Sequence, residues 1–270
     1  LSSKPVPSGI DIDNVEYWIQ LADIDPIISS IVAKQPASVK DYGAIGNGVN
    51  DDSEAFKNAI SSNSLILVPE GVYIISNVNI PSNRILIGFG EKGTVKLAKK
   101  GGERGPLIYS SDSENIVLAN MTIDGNASTM TYIPNFSDCT VHVDTCNNVS
   151  VKNLWIEHAI KCGIYVRNCV NANVSECVVL SSEYDSGIIV TSVSGSYSVV
   201  ENCISNDNEK DGFTITGSYI TVSSCTAMGN GKQKHNADKT EPSCGIFVDD
   251  QSDYCSITNC YLKGNSFAGI

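Results

Sequence analysis

The chain has 270 residues, of which 18% are charged and 7% are aromatic, and its formal net charge is −12. Because such a surface repels DNA, RNA and anionic membranes, we expect neither nucleic-acid binding nor membrane insertion. Arginine occurs only at positions 84, 104 and 167, which argues against an arginine-lined phosphate groove. No apolar run reaches the ~18 residues that a transmembrane helix needs.

The first element in chain order is a leader, residues 1–37, which we predict to be a neck or linker. The segment Pro5-Val6-Pro7 indicates extended chain, and Tyr17-Trp18-Ile19 is a short apolar stretch typical of a strand. Asp25-Pro26 has the pattern of an N-cap followed by proline, which predicts a short helix through about Ala33. The leader is either a plain connector or a segment that docks onto another protein, and its aromatic residues favour docking.

The folded region begins at residue 38 and contains one predicted helix. Asp51 and Glu54 have the spacing of a capping box, which predicts that a helix starts there. An amphipathic helix of this kind can cover the open strand edges at the end of a sheet. Its apolar face would carry Ala55, Phe56, Ala59 and Ile60.

Short apolar stretches separated by turn residues follow, and from residue 141 they form a repeat. Each copy opens with a glycine that turns a corner, and apolar and outward-facing positions then alternate. The glycines are spaced by 24, 25, 33 and 24 residues, at Gly163, Gly187, Gly212, Gly245 and Gly269. This period predicts an all-β fold, a right-handed single-stranded parallel β-helix over residues 38–270. Since Ile270 falls inside a repeat, we expect the β-helix to be truncated at its C-terminal end.

Ten cysteines occur, and four of them share one position in the repeat. They end a second motif, in which valine or isoleucine precedes cysteine by three residues, at Cys177, Cys203, Cys225 and Cys260. We expect these side chains to stack as a buried ladder of small apolar groups, and all ten thiols to be free in a chain folded in a reducing cytosol. No Cys-x-x-Cys pair occurs, and we predict neither a metal nor a cofactor.

Stacked coils place side chains that are distant in sequence on one exposed wall, which suits a long polymer. Two outward rows are predicted, His142-Tyr165-Ile189-Thr214-Phe247 and Asp144-Arg167-Thr191-Thr216-Asp249. The alternative is an ordinary solvent face or a contact between subunits of a trimer. The predicted substrate-binding residues are His142, Asp144, Tyr165, Arg167, Phe247 and Asp249, together with His235 in the long coil, where Lys232, Lys234 and Lys239 add positive charge.

Glycosidic cleavage needs a pair of carboxyl groups near the scissile bond. Asp185 and Asp211 come just before their glycines on adjacent coils, so we predict that they lie one rung apart and act in catalysis, with Glu183 as a third candidate. The alternative is turn chemistry, because aspartate before glycine often bonds to the local backbone.

The segment Asp41-Tyr42-Gly43-Ala44 through Asp51-Asp52-Ser53 resembles the opening signature of the pectate-lyase-like superfamily, with Asn47 where aspartate is common. Pro69-Glu70-Gly71-Val72-Tyr73 and Ile123-Asp124-Gly125-Asn126 are also similar to that superfamily. The resemblance implies a β-helix from residue 38 to the end. The leader, from Gly9 to Asp23, resembles the neck of phage tailspikes and tail appendages.

This resemblance implies a homotrimeric virion protein of the phage tail, assembled in the host cytoplasm and joined to tail or neck proteins by its N-terminal segment. It also implies binding, and often depolymerisation, of a host surface polysaccharide such as capsule, lipopolysaccharide or teichoic acid. We expect general acid–base hydrolysis more than lyase chemistry. The Asp249-Asp250 pair is similar to the paired aspartates of polygalacturonases, whose Gly-His-Gly and Arg-x-Lys motifs are missing here. A non-catalytic adhesin, a polysaccharide lyase and a secreted pectinolytic enzyme stay open as alternatives.

Overall fold

The computed structural model describes residues 36–91, 93–131, 134–193, 196–232 and 243–270. The predicted strand and helix of the leader lie outside the described residues. Within the described ranges, no helix is long and apolar enough to cross a membrane.

The described strands follow the chain as short segments broken by turns. They are β1 (Ala37–Ser38), β2 (Asn47–Asp51), β3 (Leu65–Pro69), β4 (Gly71–Ile75), β5 (Val78–Asn79), β6 (Arg84–Phe89), β7 (Val95–Lys99), β8 (Ile108–Ser111), β9 (Glu114–Asp124), β10 (Val141–Asp144), β11 (Asn147–Glu157), β12 (Ile164–Ser175), β13 (Val178–Leu180), β14 (Ile188–Ser192), β15 (Ser198–Glu201), β16 (Ile204–Asn206), β17 (Phe213–Thr216), β18 (Ile220–Ser223), β19 (Thr226–Met228), β20 (Ile246–Val248), β21 (Ser256–Thr258) and β22 (Tyr261–Lys263).

Each strand pairs in parallel with a strand of the next coil, and the strands fall into three faces. Face 1 consists of β5, β8, β10, the start of β12, β14, β17 and β20. Face 2 consists of β1, β3, β6, the first parts of β9 and β11, the end of β12, β15, β18 and β21. Face 3 consists of β2, β4, β7, the last parts of β9 and β11, β13, β16, β19 and β22. The parallel β-helix predicted from the repeat is therefore confirmed.

The glycine-led segments stack directly over one another on face 1. Ile188 lies opposite both Ile164 and Phe213, and Phe213 lies opposite Ile246, so four residues of one repeat position form a single buried column. Periodicity alone predicts this register, because a slip of one residue would turn every apolar side chain outward.

The glycines that precede the face 1 strands are needed for close packing more than for a special backbone conformation. A Cβ on Gly163 would lie 2.4 Å from the Val179 side chain, and one on Gly187 would lie 2.0 Å from the Ser205 hydroxyl. Both glycines are absent from the left-handed backbone positions of the described chain. Glycine is required at these corners because the neighbouring side chains leave no room for a Cβ.

The interior is apolar, and the predicted cysteine ladder is confirmed. Cys177, Cys203 and Cys225 are buried, and Cys260 packs against the same core. The Cys177 thiol donates to the Val151 carbonyl of the preceding coil at 3.5 Å, and the same bond recurs from the other three thiols to the preceding coil. Each thiol thus packs as an apolar group and also satisfies its weak donor.

The prediction that all ten thiols are free is wrong for two of them. Cys139 and Cys162 form a disulfide across adjacent coils, with a Cα–Cα distance of 4.6 Å. Both precede face 1 strands by two residues, at Val141 and Ile164, which lie opposite each other in the sheet. Stacking therefore brings the two side chains together, whereas the sequence motif that contains the ladder includes neither cysteine.

Helix α1 (Ser53–Ser62) covers the first coil and confirms the predicted cap. Its buried face carries Ala55, Phe56, Ala59 and Ile60, and the Phe56 ring meets the Tyr73 ring edge-on at 5.4 Å. The predicted capping box is wrong in detail. Asp52 is the N-cap, its carboxylate accepts bonds from the Ile45 and Gly46 amides, and Glu54 pairs with Lys57 on the helix surface.

Candidate functional site

Of the two outward rows predicted on face 1, the first is in register throughout but has Tyr165 and Ile189 buried, and the second is interrupted after Arg167. In the first row His142 lies opposite Tyr165, Tyr165 opposite Ile189, Ile189 opposite Thr214, and Thr214 opposite Phe247. In the second row Asp144 lies opposite Arg167, and Thr191 opposite Thr216. A bulge after Val166 shifts Arg167 relative to the next coil, because one extra residue is inserted there.

His142 and Tyr165 form a stacked pair, but most of this pair is covered. Their ring centroids are 5.0 Å apart and the planes differ by 14°. Tyr165 is only 9% exposed, because it packs with Ile189 and the Cys139–Cys162 disulfide. Burial lowers the pKa of His142, so this imidazole is neutral around pH 7.

Asp144 and Arg167 bind each other across one rung. The Arg167 Nε donates to Asp144 Oδ1 at 2.8 Å, and its Nη2 donates to the other carboxylate oxygen. The hydrogen bonds from Arg167 lower the pKa of Asp144, which is therefore ionised. The positive charge predicted for substrate binding is largely matched inside the protein.

The remaining predicted binding residues lie further along the stack. Phe247 is partly exposed on β20, and Asp249 follows that strand. A hydrogen bond between the carboxyl groups lowers the pKa of Asp249 and raises that of Asp250. His235 lies outside the described residues.

Asp185 and Asp211 lie one rung apart, as expected, but both are buried. The Ser186 hydroxyl reaches both carboxylates, 3.5 Å from Asp185 Oδ1 and 3.3 Å from Asp211 Oδ2. Asp211 also accepts bonds from the Cys244 amide at 2.6 Å and the Thr214 hydroxyl at 3.1 Å, and burial raises its pKa. The residues are 6% and 7% exposed, so a substrate does not reach either carboxylate directly; a catalytic role for them stays a prediction.

Lys161 supplies the countercharge of this corner. Its Nζ lies 3.0 Å from Asp185 Oδ2, and both side chains are at most 15% exposed. Removing either partner would leave the other buried without its countercharge.

Glu183 lies apart from the aspartate pair, in an open cleft at the corner between face 3 and face 1. This Asp124 cleft has a volume of about 610 Å³. One side is the loop after β9, and the other is the turn after β13. Its lining consists of Asp124, Asn126, Ala127, Ser128, Met130, His158, Ser181, Glu183 and Tyr184.

Charged side chains converge at the strand ends beside the cleft. His158 Nδ1 lies 3.4 Å from Asp124 Oδ1, and the His158 side chain is 59% exposed. Lys96 Nζ lies 3.3 Å from Asp124 Oδ2 and 3.5 Å from Glu157 Oε1. Among the described side chains, Asp124, Glu157 and His158 form a group whose ligand atoms lie within 4.8 Å of one another, and Lys96 already provides a cation there.

Sequence reasoning did not select Asp124, His158 or Tyr184 as site residues. Asp124 and Glu157 lie opposite each other at the ends of face 3 strands, and His158 follows immediately. Asp124 belongs to the Ile123-Asp124-Gly125-Asn126 segment, whose similarity to the pectate-lyase-like superfamily could have marked it as a candidate. The cleft itself depends on the path of the loop after Gly125, which no repeat predicts.

Three comparisons place the chain among known proteins. The preneck appendage protein of Bacillus phage PZA is 27% identical over 273 residues, covering 96% of this chain and 30% of that protein. The mannuronan C5-epimerase AlgE5 of Azotobacter vinelandii is 25% identical over 247 residues, covering 78% of this chain and 24% of the epimerase. The crystal structure of the pre-mature bacteriophage phi29 gene product 12 aligns with a TM-score of 0.66 at 23% identity, covering 91% of this chain and 34% of that one.

The chain thus spans less than a third of the two curated relatives, and the structural alignment shows the shared β-helix. Its sequence matches the profile of the rhamnogalacturonase A/epimerase, pectate lyase-like proteins over residues 37–264, which is most of the chain. The chain therefore belongs to the rhamnogalacturonase A/epimerase, pectate lyase-like family.

Proposed function

We propose that this chain is the β-helix of a phage appendage protein that binds a host surface polysaccharide and cleaves it in the Asp124 cleft. The observation that carries the proposal is the cleft itself, where carboxyl groups, an imidazole and a tyrosine border an open space of about 610 Å³. Ligand sites of this kind combine a concave shape with a few convergent polar groups. The phage relative supports the appendage setting, and the epimerase relative supports action on a polysaccharide.

The chemistry we propose is general acid–base hydrolysis by Glu183 and Asp124. One carboxyl group protonates the leaving oxygen, and the other activates water or attacks the sugar. Lys96 and His158 contact the Asp124 carboxylate from two sides, which fixes its orientation toward the cleft. We therefore assign Asp124 as the base or nucleophile and Glu183 as the acid.

The wider assignment follows the resemblance. The protein would be a homotrimer in the virion, assembled in the host cytoplasm and held to tail or neck proteins by its leader. The polysaccharide would be capsule, lipopolysaccharide or teichoic acid. Binding without cleavage is the second candidate, and it is favoured by the burial of Asp185 and Asp211.

The test incubates the purified chain with each of the three polymers and measures polymer length and new reducing ends. We expect shortening that falls about 100-fold or more in Glu183→Gln and in Asp124→Asn. Glu114→Gln is the matched control, since Glu114 is an exposed carboxylate on face 2.

The other outcomes are distinct. Loss of cleavage in Asp185→Asn or Asp211→Asn, with Glu183→Gln fully active, would place catalysis at the buried pair and refute the cleft assignment. Binding with no shortening would leave only the adhesin function. An ultraviolet-absorbing unsaturated product would show a lyase. Absence of binding to every polymer would refute the function as a whole.

A further inference from the structure

Three tyrosines form a column at the corner between face 1 and face 2. Tyr197, Tyr219 and Tyr254 occupy one position in three successive coils, just before β15, β18 and β21. The ring centroids are 5.3 Å apart for the first pair and 5.2 Å for the second, and the Tyr219 and Tyr254 planes differ by 10°. The Asp124 cleft lies at a different corner, where face 3 leads to face 1.

The two outer rings of the column are largely in contact with solvent, whereas Tyr219 between them is half-buried. Tyr197 is 63% exposed, Tyr254 is 79% exposed, and the nearby Val193 is 40% exposed. Single exposed apolar residues are common, but a contiguous patch in register on successive coils is characteristic of a binding surface.

The chemistry of the column fits a carbohydrate chain. A tyrosine ring packs against the C–H groups of a sugar, and its hydroxyl can bond to the sugar hydroxyls. The column runs along the stacking direction of the coils, so a linear polymer lying parallel to it meets one ring per coil. The ring spacing of 5.2–5.3 Å is comparable with the length of one sugar unit.

The surrounding charge indicates which carbohydrates fit. The turn that leads to Tyr254 carries Asp249, Asp250 and Asp253, and the last two are exposed. These carboxylates would repel uronates and phosphates, as would the net charge of −12. Neutral sugars experience no such repulsion, and their hydroxyls can donate to the carboxylates.

We propose that the column of Tyr197, Tyr219 and Tyr254 is a second, non-catalytic binding site for an uncharged polysaccharide. It acts independently of the Asp124 cleft and holds the polymer along the stack of coils.

The experiment measures binding of the whole chain to two uncharged polymers, dextran and mannan, and to polygalacturonate as the anionic comparison. We expect at least one uncharged polymer to bind, and its Kd to rise about tenfold in the double variant Tyr197→Ala/Tyr254→Ala. The variant Tyr197→Phe/Tyr254→Phe should bind within about twofold of the parent, because it keeps the rings. Tyr261→Ala is the matched control, since Tyr261 is 54% exposed but lies on face 3.

Circular dichroism melting of each variant verifies folding. Equal binding of folded parent and alanine variant would overturn the inference, as would a parent that binds neither uncharged polymer or prefers polygalacturonate. Light scattering that shows smaller oligomers for the alanine variant would instead assign the column to contacts between subunits. Each of these results leaves cleavage in the cleft separately measurable.

Discussion

Two aspartates of the β-helix lie in opposite environments. Asp144 is partly exposed and bound by the Arg167 guanidinium, which lowers the pKa of its carboxyl group. Asp211 is buried under the corner of the next coils, and burial raises its pKa despite three hydrogen bonds. Surroundings, and not residue type, therefore set the direction in which the pKa of an aspartate shifts.

The first prediction concerns the pH dependence of stability in Asp211→Asn. A raised folded-state pKa contributes stability at acid pH that is lost as the pH rises through that pKa. Asparagine cannot ionise and keeps an acceptor for the Cys244 amide. The free energy of unfolding of the variant should therefore improve relative to the parent as the pH rises above the ordinary aspartate pKa of 3.8, as measured by urea unfolding.

Asp144→Asn provides the comparison with opposite sign. The lowered pKa of Asp144 gives stability above its unfolded pKa, which is lost as the pH falls through the folded pKa. Because the pair is partly exposed, the loss at pH 7 should be about 1 kcal/mol or less. Parallel pH curves for both variants would contradict the two assignments.

At the scale of elements, an asparagine ladder turns the chain into face 2. Asn115 donates to the Asn83 side-chain oxygen at 2.8 Å, Asn148 to Asn115 at 3.0 Å, and Asn171 to Asn148 at 3.3 Å. All four have left-handed backbone angles, with φ between 53° and 61°. Asparagine suits this corner because it tolerates that conformation and its amide bonds to the next coil.

The second prediction tests the ladder at Asn148. Asn148→Ala loses two amide hydrogen bonds and the tolerance of asparagine for the left-handed conformation, so we expect a loss of about 2–4 kcal/mol in the free energy of unfolding. Asn148→Gly should lose less, because glycine relieves the strain. Asn58→Ala, on the exposed side of α1, is the control. Equal losses for alanine and glycine would show that strain has no part in it.

The sequence could predict the features that follow from the repeat. The column through Ile164 and Ile188, the thiol ladder at Cys177, and the opposition of His142 to Tyr165 all follow from strand phase. The Asp124 cleft depends on a loop of irregular length, whose path no period specifies. The Cys139–Cys162 disulfide follows the register of Val141 and Ile164, but neither cysteine belongs to the repeated motif. The covering of Tyr165 comes from the disulfide and Ile189, which pack against it.

On the scale of the whole molecule, the proposed functional surfaces lie at different places around the core of the β-helix. The Asp144–Arg167 pair lies on face 1, the cleft on the corner before it, and the tyrosine column on the corner after it. The disulfide joins two coils just before the face 1 strands that begin at Val141 and Ile164. A change at one corner is therefore expected to leave the others folded, since each coil contacts only its neighbours.

The third prediction concerns that disulfide. Cys162→Ser should lower the free energy of unfolding by about 2–4 kcal/mol under oxidising conditions, because the bond restricts the unfolded chain. Thiol labelling of the denatured, unreduced protein should detect eight of the ten cysteines. Cys255→Ser, which removes a free and partly exposed thiol, is the control. Ten labelled thiols, or equal stability of both variants, would contradict the bond.

Helix α1 closes one end of the stack, and this has a consequence for how the protein forms. Every strand finds its partner about one coil away along the chain, so no pairing waits for distant residues to be synthesised. Once α1 and the first coil have left the ribosome, the strands of the first coil are available to pair with those of the second coil. We therefore expect the β-helix to fold from its N-terminal end during translation, each new coil pairing with the preceding one. Helix α1 would prevent strands of other chains from pairing with the edge of the first coil.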